Sequence, residues 1–235
     1  MQLFYSSNIH KDTDTFSFSS EESRHILKVL RKKEGDLLQI TNGKGFLFEA
    51  EIIVANPRAC QVAIGRTSQS TPQAYTTHLA VAPTKLNDRY AFFLEKATEI
   101  GVDEITPVIC ERSERKTLKL ERMERILQAA MKQSLQTFLP KLNAPVPFTD
   151  FVERERTTLK FIAHCANDEK KQLIQDIPPK KDIVVLIGPE GDFSPREIHK
   201  AGSKGYLPLS LGTNRLRTET AALMACSAIA LINME

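Results

Sequence analysis

One apolar run constrains the fold more than any other part of the sequence. Ile183–Ile187 is continuous, apolar and rich in β-branched residues. Such a run is typical of a strand that is covered on both faces of a sheet. Residues 188–192, GPEGD, end the strand, and residues 194–197, SPRE, begin a helix. The helix start is predicted from a serine N-cap, a proline at the first helical position and a glutamate at capping-box spacing.

The turn between this strand and this helix is a candidate ligand site. Ligands of open α/β sheets bind beyond the carboxyl ends of the strands. Gly188 and Gly191 would let a ligand approach the backbone closely, because glycine has no Cβ. An ordinary strand-to-helix turn would contain the same residue types, so the turn alone leaves its function open.

A second stretch, LGTNRLRTETA over residues 211–221, also follows a short apolar segment and precedes an apolar helix. IGPEGDFS over residues 187–194, followed by this stretch, resembles the paired motifs of the bacterial 16S ribosomal RNA uracil-N3 methyltransferases, the RsmE family of the SPOUT superfamily. The resemblance extends over nearly the whole chain. HILKVLRKKEGD from His25, FFLEKATEIGVDEITPV from Phe92 and the segment from Gln133 occur in the family order.

The resemblance implies a small N-terminal PUA-like β-barrel that binds RNA, and a C-terminal SPOUT α/β domain with a deep trefoil knot. The knot is implied by the motifs alone, since knotted chains are rare and no periodicity indicates one. It also implies a methyltransferase that uses S-adenosylmethionine to methylate N3 of a specific uridine in 16S ribosomal RNA. The partners it implies are the assembled small ribosomal subunit and a second copy of the chain, forming a homodimer through the C-terminal domains.

The residue pattern independently favours two domains. Residues 1–70 show short strand-like runs around turns, and Asn42-Gly43 between two of them predicts a hairpin of a small barrel. Residues 71–76 are polar and contain Pro72, which is typical of a linker. Residues 77–235 alternate between strands and helices, which predicts a mainly parallel sheet. The predicted helices of this part are Asp88–Ile100, Lys119–Phe138, Asp168–Gln175, Pro195–Ala201 and Glu219–Ile232.

The cofactor residues are transferred from the family motifs. In this superfamily loops hold the cofactor, and the chain has no GxGxxG fingerprint. Three groups of residues are expected to surround S-adenosylmethionine. They are Ile187, Gly188, Pro189, Glu190 and Gly191; Leu211, Gly212, Leu216 and Thr220; and Ala82, Pro83 and Thr84 at another strand end.

Arg217 and Glu219 are the candidate catalytic residues. Methylation at N3 removes a proton and develops negative charge on the uracil oxygens, and a guanidinium is a permanent cation suited to stabilise it. Glu219 could accept the proton, or could stabilise the positive end of the last helix. No residue is identified as the general base. The chain departs from the family at Asp192, where glycine is usual, and at Asn214 and Gln136, where arginine is frequent.

RNA contacts are expected on the first helix, which starts at Ser19. Arg24, Lys28 and Arg31 have the spacing of one helical face, and Lys32 extends the charge. These residues would contact phosphate and position the RNA. A solvated helix face is the alternative, because acidic residues flank the cluster.

The composition sets further limits. The net charge of +3 is compatible with RNA binding and does not require it. No run approaches the length of a membrane span, and the N-terminus lacks the apolar core of a signal peptide, so a cytoplasmic protein is expected. The four cysteines are widely spaced and form no CxxC pair, which predicts reduced core residues and no metal site.

Two other functions remain open from the sequence. The first is a SPOUT enzyme that methylates a ribose 2′-hydroxyl of tRNA or rRNA, which the N-terminal barrel and the whole-chain motif order argue against. The second is an RNA-binding relative that has lost catalysis, an alternative that Asp192 and Asn214 keep open.

Overall fold

The computed structural model describes residues 2–154, 158–166, 170–172 and 176–234. The chain forms two units, Met1–Pro72 with Met131–Leu139, and Gln73–Ala130 with Pro140–Glu235. The sequence analysis assigned residues 131–139 to the second domain, whereas in the structure they group with the first unit. No helix among the described residues has both the length and the apolar character needed to cross a bilayer.

The first unit is a five-stranded half-barrel, as the short strand-like runs predicted. Its strands are β1 (Leu3–Tyr5), β2 (Thr15–Ser17), β3 (Leu37–Thr41), β4 (Phe46–Val54) and β5 (Gln61–Gln69). The spatial order is β1-β3-β4-β5-β2, with β1 parallel to β3 and the other pairs antiparallel. A core that includes Ile26, Ile40 and Phe48 fills its inner face.

The hairpin between β3 and β4 confirms the Asn-Gly prediction. Asn42 Oδ1 accepts a hydrogen bond from the Lys44 amide at 2.9 Å, and Gly43 and Gly45 have φ angles of +70° and +89°. The Gly45 amide donates to the Thr137 carbonyl, and the Leu139 amide donates to the Gly43 carbonyl, each at 2.9 Å. These bonds explain why residues 131–139 belong to this unit.

The first helix, α1 (Ser20–Arg24), is capped by Ser19, whose Oγ accepts from the Glu22 amide at 3.3 Å. It continues as a π-helix over His25–Val29. The prediction of one basic face with helical spacing is wrong for Arg31. This residue lies beyond the helix with a left-handed φ of +57°, so the spacing of an α-helix does not apply to it.

In its described residues the second unit contains an eight-stranded sheet of parallel pairs. Its strands are β6 (Thr77–Val81), β7 (Glu104–Ile109), β8 (Lys141–Leu142), β9 (Val146–Pro147), β10 (Leu159–Ala163), β11 (Lys171–Gln172), β12 (Ile183–Ile187) and β13 (Leu207–Ser210). The order is β11-β13-β10-β12-β6-β7-β8, and β9 pairs with β7. All five residues of β12 are buried between β10 and β6, which confirms the strand predicted from its apolar run.

Five helices accompany this sheet in the described residues: α2 (Asn87–Ile100), α3 (Leu120–Gln133), α4 (Phe148–Glu153), α5 (Pro195–Ser203) and α6 (Thr218–Ile232). Helix α3 ends five residues before its predicted end at Phe138, because Leu135 adopts a left-handed φ of +57°. The predicted helix Asp168–Gln175 falls mostly outside the described residues, and Lys171–Gln172 within it form β11. The α/β architecture is confirmed, and the trefoil knot stays a prediction.

Candidate functional site

The turn after β12 is built as its sequence predicted. Ser194 Oγ accepts from the Glu197 amide at 3.3 Å, and Glu197 Oε2 accepts from the Ser194 amide at 2.8 Å. Pro195 occupies the first turn of α5, so the capping box and the proline fix where the helix starts. The Asp192 amide donates to the Pro189 carbonyl at 2.9 Å and closes the turn before the cap.

Glycine at position 188 leaves space for an aromatic side chain of the same loop. A Cβ at Gly188 would lie 3.1 Å from two ring atoms of Phe193, which is itself buried. The glycine was expected to allow a close approach of the cofactor. The ring belongs to the same loop, and the close approach of a cofactor to Gly188 stays a prediction.

Side chains from distant parts of the second unit hold this loop in place. Arg112 Nη1 donates to the Gly191 carbonyl at 2.9 Å, and Thr218 Oγ1 donates to the Gly188 carbonyl at 3.0 Å. The Lys85 amide donates to Glu190 Oε1 at 2.9 Å. Arg217 is the N-cap residue of α6, without a side-chain cap bond, and Thr218 is the first residue inside the helix, where its hydroxyl bonds to the loop.

The second motif segment, residues 211–217, is more open. Residues 212–215 are exposed, and Gly212 has a φ of +111° with no atom within 4 Å of the position of an added Cβ. Its amide donates to Ser210 Oγ at 3.4 Å, a local contact with the end of β13. The glycine is therefore required here by backbone conformation.

Both motif segments line one cavity of about 760 Å³. This volume is within the range of about 300–1,000 Å³ that is common for small-molecule and cofactor sites. Most of the residues predicted from the two motifs meet here. They are Ile187, Gly188, Pro189, Glu190, Gly191, Leu211, Gly212, Leu216 and Arg217.

Other predicted residues are not among the described residues that line this cavity. Ala82 is buried at the end of β6, where its amide donates to the Ile187 carbonyl at 2.9 Å, and Thr84 Oγ1 donates to the Leu86 carbonyl at 2.8 Å. Pro83 lies between them, and Thr220 is exposed on α6. The role of Ala82, Pro83, Thr84 and Thr220 in cofactor binding stays a prediction.

Glu219 is buried at the start of α6 and also lies off the cavity lining that the structure describes. Its Oε1 is 3.8 Å from Arg89 Nε, while Oε2 has no hydrogen-bond partner in the described part of the chain. An acidic group in the first helical turn interacts favourably with the helix dipole. The geometry therefore favours the helix-terminus role over proton acceptance.

The sequence analysis missed residues that other strand ends bring to the cavity. Arg112 follows β7, and His164, Cys165 and Lys170 follow β10. The available signal was the rule that neighbouring parallel strands present their carboxyl ends at one edge of the sheet. The order of strands, which decides which ends are neighbours, was not evident from local patterns.

The cysteine prediction is correct for three residues and wrong for one. Cys60, Cys110 and Cys226 are free and buried, whereas Cys165 is exposed on the cavity lining. Burial raises the pKa of the Cys110 thiol, and the nearby Glu197 and Asp192 carboxylates raise it further. Burial likewise raises the pKa of Cys226 to about 12, so both thiols stay protonated near neutral pH.

The cavity carries charges of both signs. Cations can bind an anionic substrate or stabilise developing negative charge, while carboxylates favour a positively charged group. Arg217 is exposed and makes no ion pair with any residue that the structure describes. The described cations of the lining are Arg112, Lys170, Arg215 and Arg217, and the carboxylates are Glu190 and Asp192.

Three of the four predicted RNA-contacting residues line grooves of the first unit. Arg24 and Lys28 line an open groove beside Val29. Lys32 lines a second groove, of about 420 Å³, with Leu37 and other side chains. Arg31 is exposed beyond the helix.

Known proteins resemble this chain along nearly its whole length. The pattern of the RNA methyltransferase domain family matches residues 71–230, and that of the RNA methyltransferase PUA domain matches residues 18–65. The ribosomal RNA small subunit methyltransferase E of Buchnera aphidicola (from Acyrthosiphon pisum) is 30% identical over 227 residues, which are 93% of this chain and 88% of that protein.

Two crystal structures extend the comparison. A protein from Porphyromonas gingivalis, described as a probable rRNA-methyltransferase, is 38% identical with a TM-score of 0.92, over 99% of this chain and 98% of that one. A ribosomal RNA small subunit methyltransferase E from Neisseria gonorrhoeae, bound to S-adenosyl methionine, is 27% identical with a TM-score of 0.88, over 99% and 98% of the two chains.

Proposed function

The chain belongs to the ribosomal RNA small subunit methyltransferase E family, and we propose on this premise that it methylates N3 of a uridine in 16S ribosomal RNA. The chain is an S-adenosylmethionine-dependent rRNA methyltransferase. The observation that carries the proposal is the convergence of both family motifs on one cavity, together with a matching PUA domain in the same chain.

The cavity fits S-adenosylmethionine, the cofactor of this family. The segments around Gly188 and Gly212 line it, and backbone amides and carbonyls can bind an adenine and a ribose. Glu190 provides a carboxylate for a ligand that carries positive charge. Bound there, the cofactor supplies an electrophilic methyl group. We assign its binding to the two motif segments, with Ala82–Thr84 as a third contact at the neighbouring strand end.

Arg217 is the residue that we assign to the acceptor base. Its guanidinium lies on the cavity lining and has no charged partner in the described structure, so it is available to a group that becomes negative. Deprotonated uracil carries its charge on O2 and O4, and a preorganised cation stabilises that charge most as the methyl group is transferred. We assign Glu219 to stabilising the start of α6, since it pairs with Arg89 away from the lining.

The first unit is proposed to bind the RNA. Arg24 and Lys28 share one groove, and Lys32 borders the next, which gives a basic surface that can follow a phosphate backbone. Replacing Arg24 and Lys28 together by alanine should weaken RNA binding and flatten its salt dependence. A wild-type salt slope in that variant would assign these side chains to a solvated surface.

A homodimer is proposed through the second unit. Helix α6 packs against α2, yet Met224 and Leu231 of α6 are 45% and 57% exposed, and Phe92 of α2 is 49% exposed. Apolar side chains on adjoining helices favour association with a second copy. Light scattering at micromolar concentration should give twice the monomer mass; a monomer that methylates RNA would contradict the dimer.

The decisive experiment uses small ribosomal subunits and naked 16S RNA from a strain that lacks the gene. We expect the protein to methylate the assembled subunits, at N3 of one uridine, in a cytoplasmic reaction. Methylation of a ribose 2′-hydroxyl would establish the other SPOUT chemistry, and RNA binding without methyl transfer would establish a non-catalytic relative.

A further inference from the structure

Asp192, in the loop after β12, adopts an unusual backbone conformation. Its φ is +62°, in the left-handed region that glycine adopts without strain. Aspartate tolerates this region better than most residues, because its short side chain can form local hydrogen bonds. A glycine would satisfy the backbone here, so the presence of a carboxylate requires a separate physical reason.

The carboxylate of Asp192 joins two segments that are distant in the sequence. Its Oδ1 accepts from the amide of Phe193 at 2.8 Å, within the same loop. Its Oδ2 accepts from the amide of Cys165 at 2.9 Å, in the segment that follows β10. Both acceptors belong to an anionic group, which makes these bonds stronger than bonds between neutral groups.

This link begins where the pairing of the strands ends. Strands β10 and β12 are parallel neighbours, and the last pair in their register is Ala163 with Ile187. Beyond that pair the two segments leave the sheet, and both line the cavity. The Asp192–Cys165 bond therefore fixes their separation at the point where the sheet no longer does so.

Arg112 holds the same loop from the segment after β7. Its Nη1 donates to the Gly191 carbonyl at 2.9 Å, directly before Asp192. Arg112 bonds to Gly191 and Cys165 bonds to Asp192, so the loop is connected to the segments that follow β7 and β10. A binding site held in this way loses less conformational freedom when its ligand arrives, which increases affinity.

We propose that Asp192 is a positioning residue that preorganises the cavity for S-adenosylmethionine by connecting the loop after β12 to the segment after β10. The inference rests on the proposed function, since it concerns the cofactor of the same site. Loss of the charge-assisted hydrogen bond to Cys165, the one that connects the two segments, should weaken binding roughly tenfold.

Two substitutions at Asp192 separate the carboxylate from the backbone. Asp192→Gly keeps the left-handed conformation without strain and removes both acceptors. Asp192→Asn keeps a side-chain oxygen and tolerates the same conformation, so it should retain the link in a weaker, neutral form. Each variant is measured for the dissociation constant of S-adenosylmethionine by calorimetry, for its melting temperature, and for hydrogen exchange of the Cys165 amide.

Asp182 provides a matched control at the opposite end of β12. Its Oδ1 accepts from the Thr76 amide at 2.8 Å, which is also a link between a carboxylate and a distant backbone group. It precedes the strand and is not among the described residues of the cavity lining. Asp182→Gly and Asp182→Asn should lower stability and leave cofactor affinity unchanged.

The expected result is a roughly tenfold weaker affinity and faster Cys165 exchange in Asp192→Gly, with Asp192→Asn between that variant and the wild type. Wild-type affinity in Asp192→Gly overturns the inference, and so does equal weakening in the Asp182 variants, which would indicate a general loss of stability. If the wild-type protein itself fails to bind S-adenosylmethionine, the proposed function is overturned. The two failures are therefore distinguishable.

Discussion

The two motif segments that line the cavity are held very differently. The loop over residues 188–194 receives hydrogen bonds from Thr218, Arg112 and Cys165, and most of it is buried. The segment over residues 211–217 is largely exposed, and its Gly212 amide donates to the hydroxyl of Ser210 at the end of β13. One segment is thus fixed by tertiary contacts, and the other is shaped mainly by its own backbone.

This difference agrees with the two kinds of ligand proposed for the site. A cofactor is the same molecule in each catalytic cycle, so a loop fixed in advance binds it at a low entropic cost. A nucleotide of a large RNA must enter and leave, and exposed segments with few buried contacts are those that adjust most easily. We therefore assign residues 188–194 mainly to the cofactor, and Arg217 with its neighbours mainly to the acceptor.

The largest expected effect comes from overfilling the fixed loop. In Gly188→Val the new side chain would collide with the buried ring of Phe193, and overpacking of this kind costs about 1–3 kcal/mol. The ring is buried in the same loop, so its displacement should shift the loop, and S-adenosylmethionine binding should be lost. Calorimetry and thermal unfolding measure both consequences on one preparation.

Gly202→Val is the control for that substitution. Gly202 lies on α5, and no atom is within 4 Å of the position of its added Cβ. This variant should bind S-adenosylmethionine like the wild type. A folded Gly188→Val protein with unchanged affinity would show that the fixed loop does not form the cofactor site.

The next effect concerns the open segment and appears in the rate. Arg217→Ala should lower the single-turnover rate of methyl transfer by roughly 10²–10³-fold, as for the loss of one preorganised donor. Cofactor affinity should change little, because the residue is assigned to the acceptor. Arg217→Lys should restore only part of the rate, since an ammonium lacks the planar fork of donors.

The rival role for Arg217 is that of an anchor for its own segment. That role predicts a lower melting temperature and weaker cofactor binding together, with a rate that recovers at saturating substrates. Measuring all three quantities in Arg217→Ala distinguishes the two roles.

The same contrast explains which parts of the molecule the sequence predicted. Local patterns sufficed for β12 and for the capping box of Ser194 and Glu197, because each depends on residues close together in the chain. They did not reveal that Arg112 and Cys165 reach the loop after β12, because strand order decides this and no local pattern encodes it.

Helix caps show how tertiary contacts override a local preference. Asn87 and Thr218 are of residue types that N-caps favour, yet each is the first residue inside its helix, after Leu86 and Arg217. For Thr218 the physical reason is visible, since its hydroxyl donates to the Gly188 carbonyl. Side-chain hydroxyls can choose among several backbone partners, and the sequence alone does not indicate which partner is present.

A smaller effect is expected at Thr218, which directly follows the open segment and bonds to the loop over residues 188–194. Thr218→Val keeps the shape of the side chain and removes the hydroxyl donor to Gly188, which is buried. Leaving that carbonyl without its partner should cost about 1–3 kcal/mol and weaken S-adenosylmethionine binding several-fold. Thr218→Ser, which retains the hydroxyl, should restore both quantities. If Thr218→Val and Thr218→Ser have the same stability and the same cofactor affinity, the hydroxyl contributes nothing and the two segments are independent.

The smallest effect is expected in the open segment, at Gly212. A Cβ there would meet no atom within 4 Å, so Gly212→Ala introduces no collision, in contrast to a substitution at Gly188. The φ of +111° is nevertheless unfavourable for alanine, and the strain should be about 1 kcal/mol, the low end of the usual range, because exposed backbone can relax.

We expect a nearly unchanged melting temperature, unchanged cofactor affinity, and a few-fold weaker interaction with the RNA acceptor, measured as the substrate concentration for half-maximal methylation. The relaxed segment would carry Leu216 and Arg217 slightly out of place, and the acceptor would be the ligand affected. A marked fall in melting temperature would instead mean that the segment is fixed as firmly as the loop after β12, and the contrast between the two would not hold.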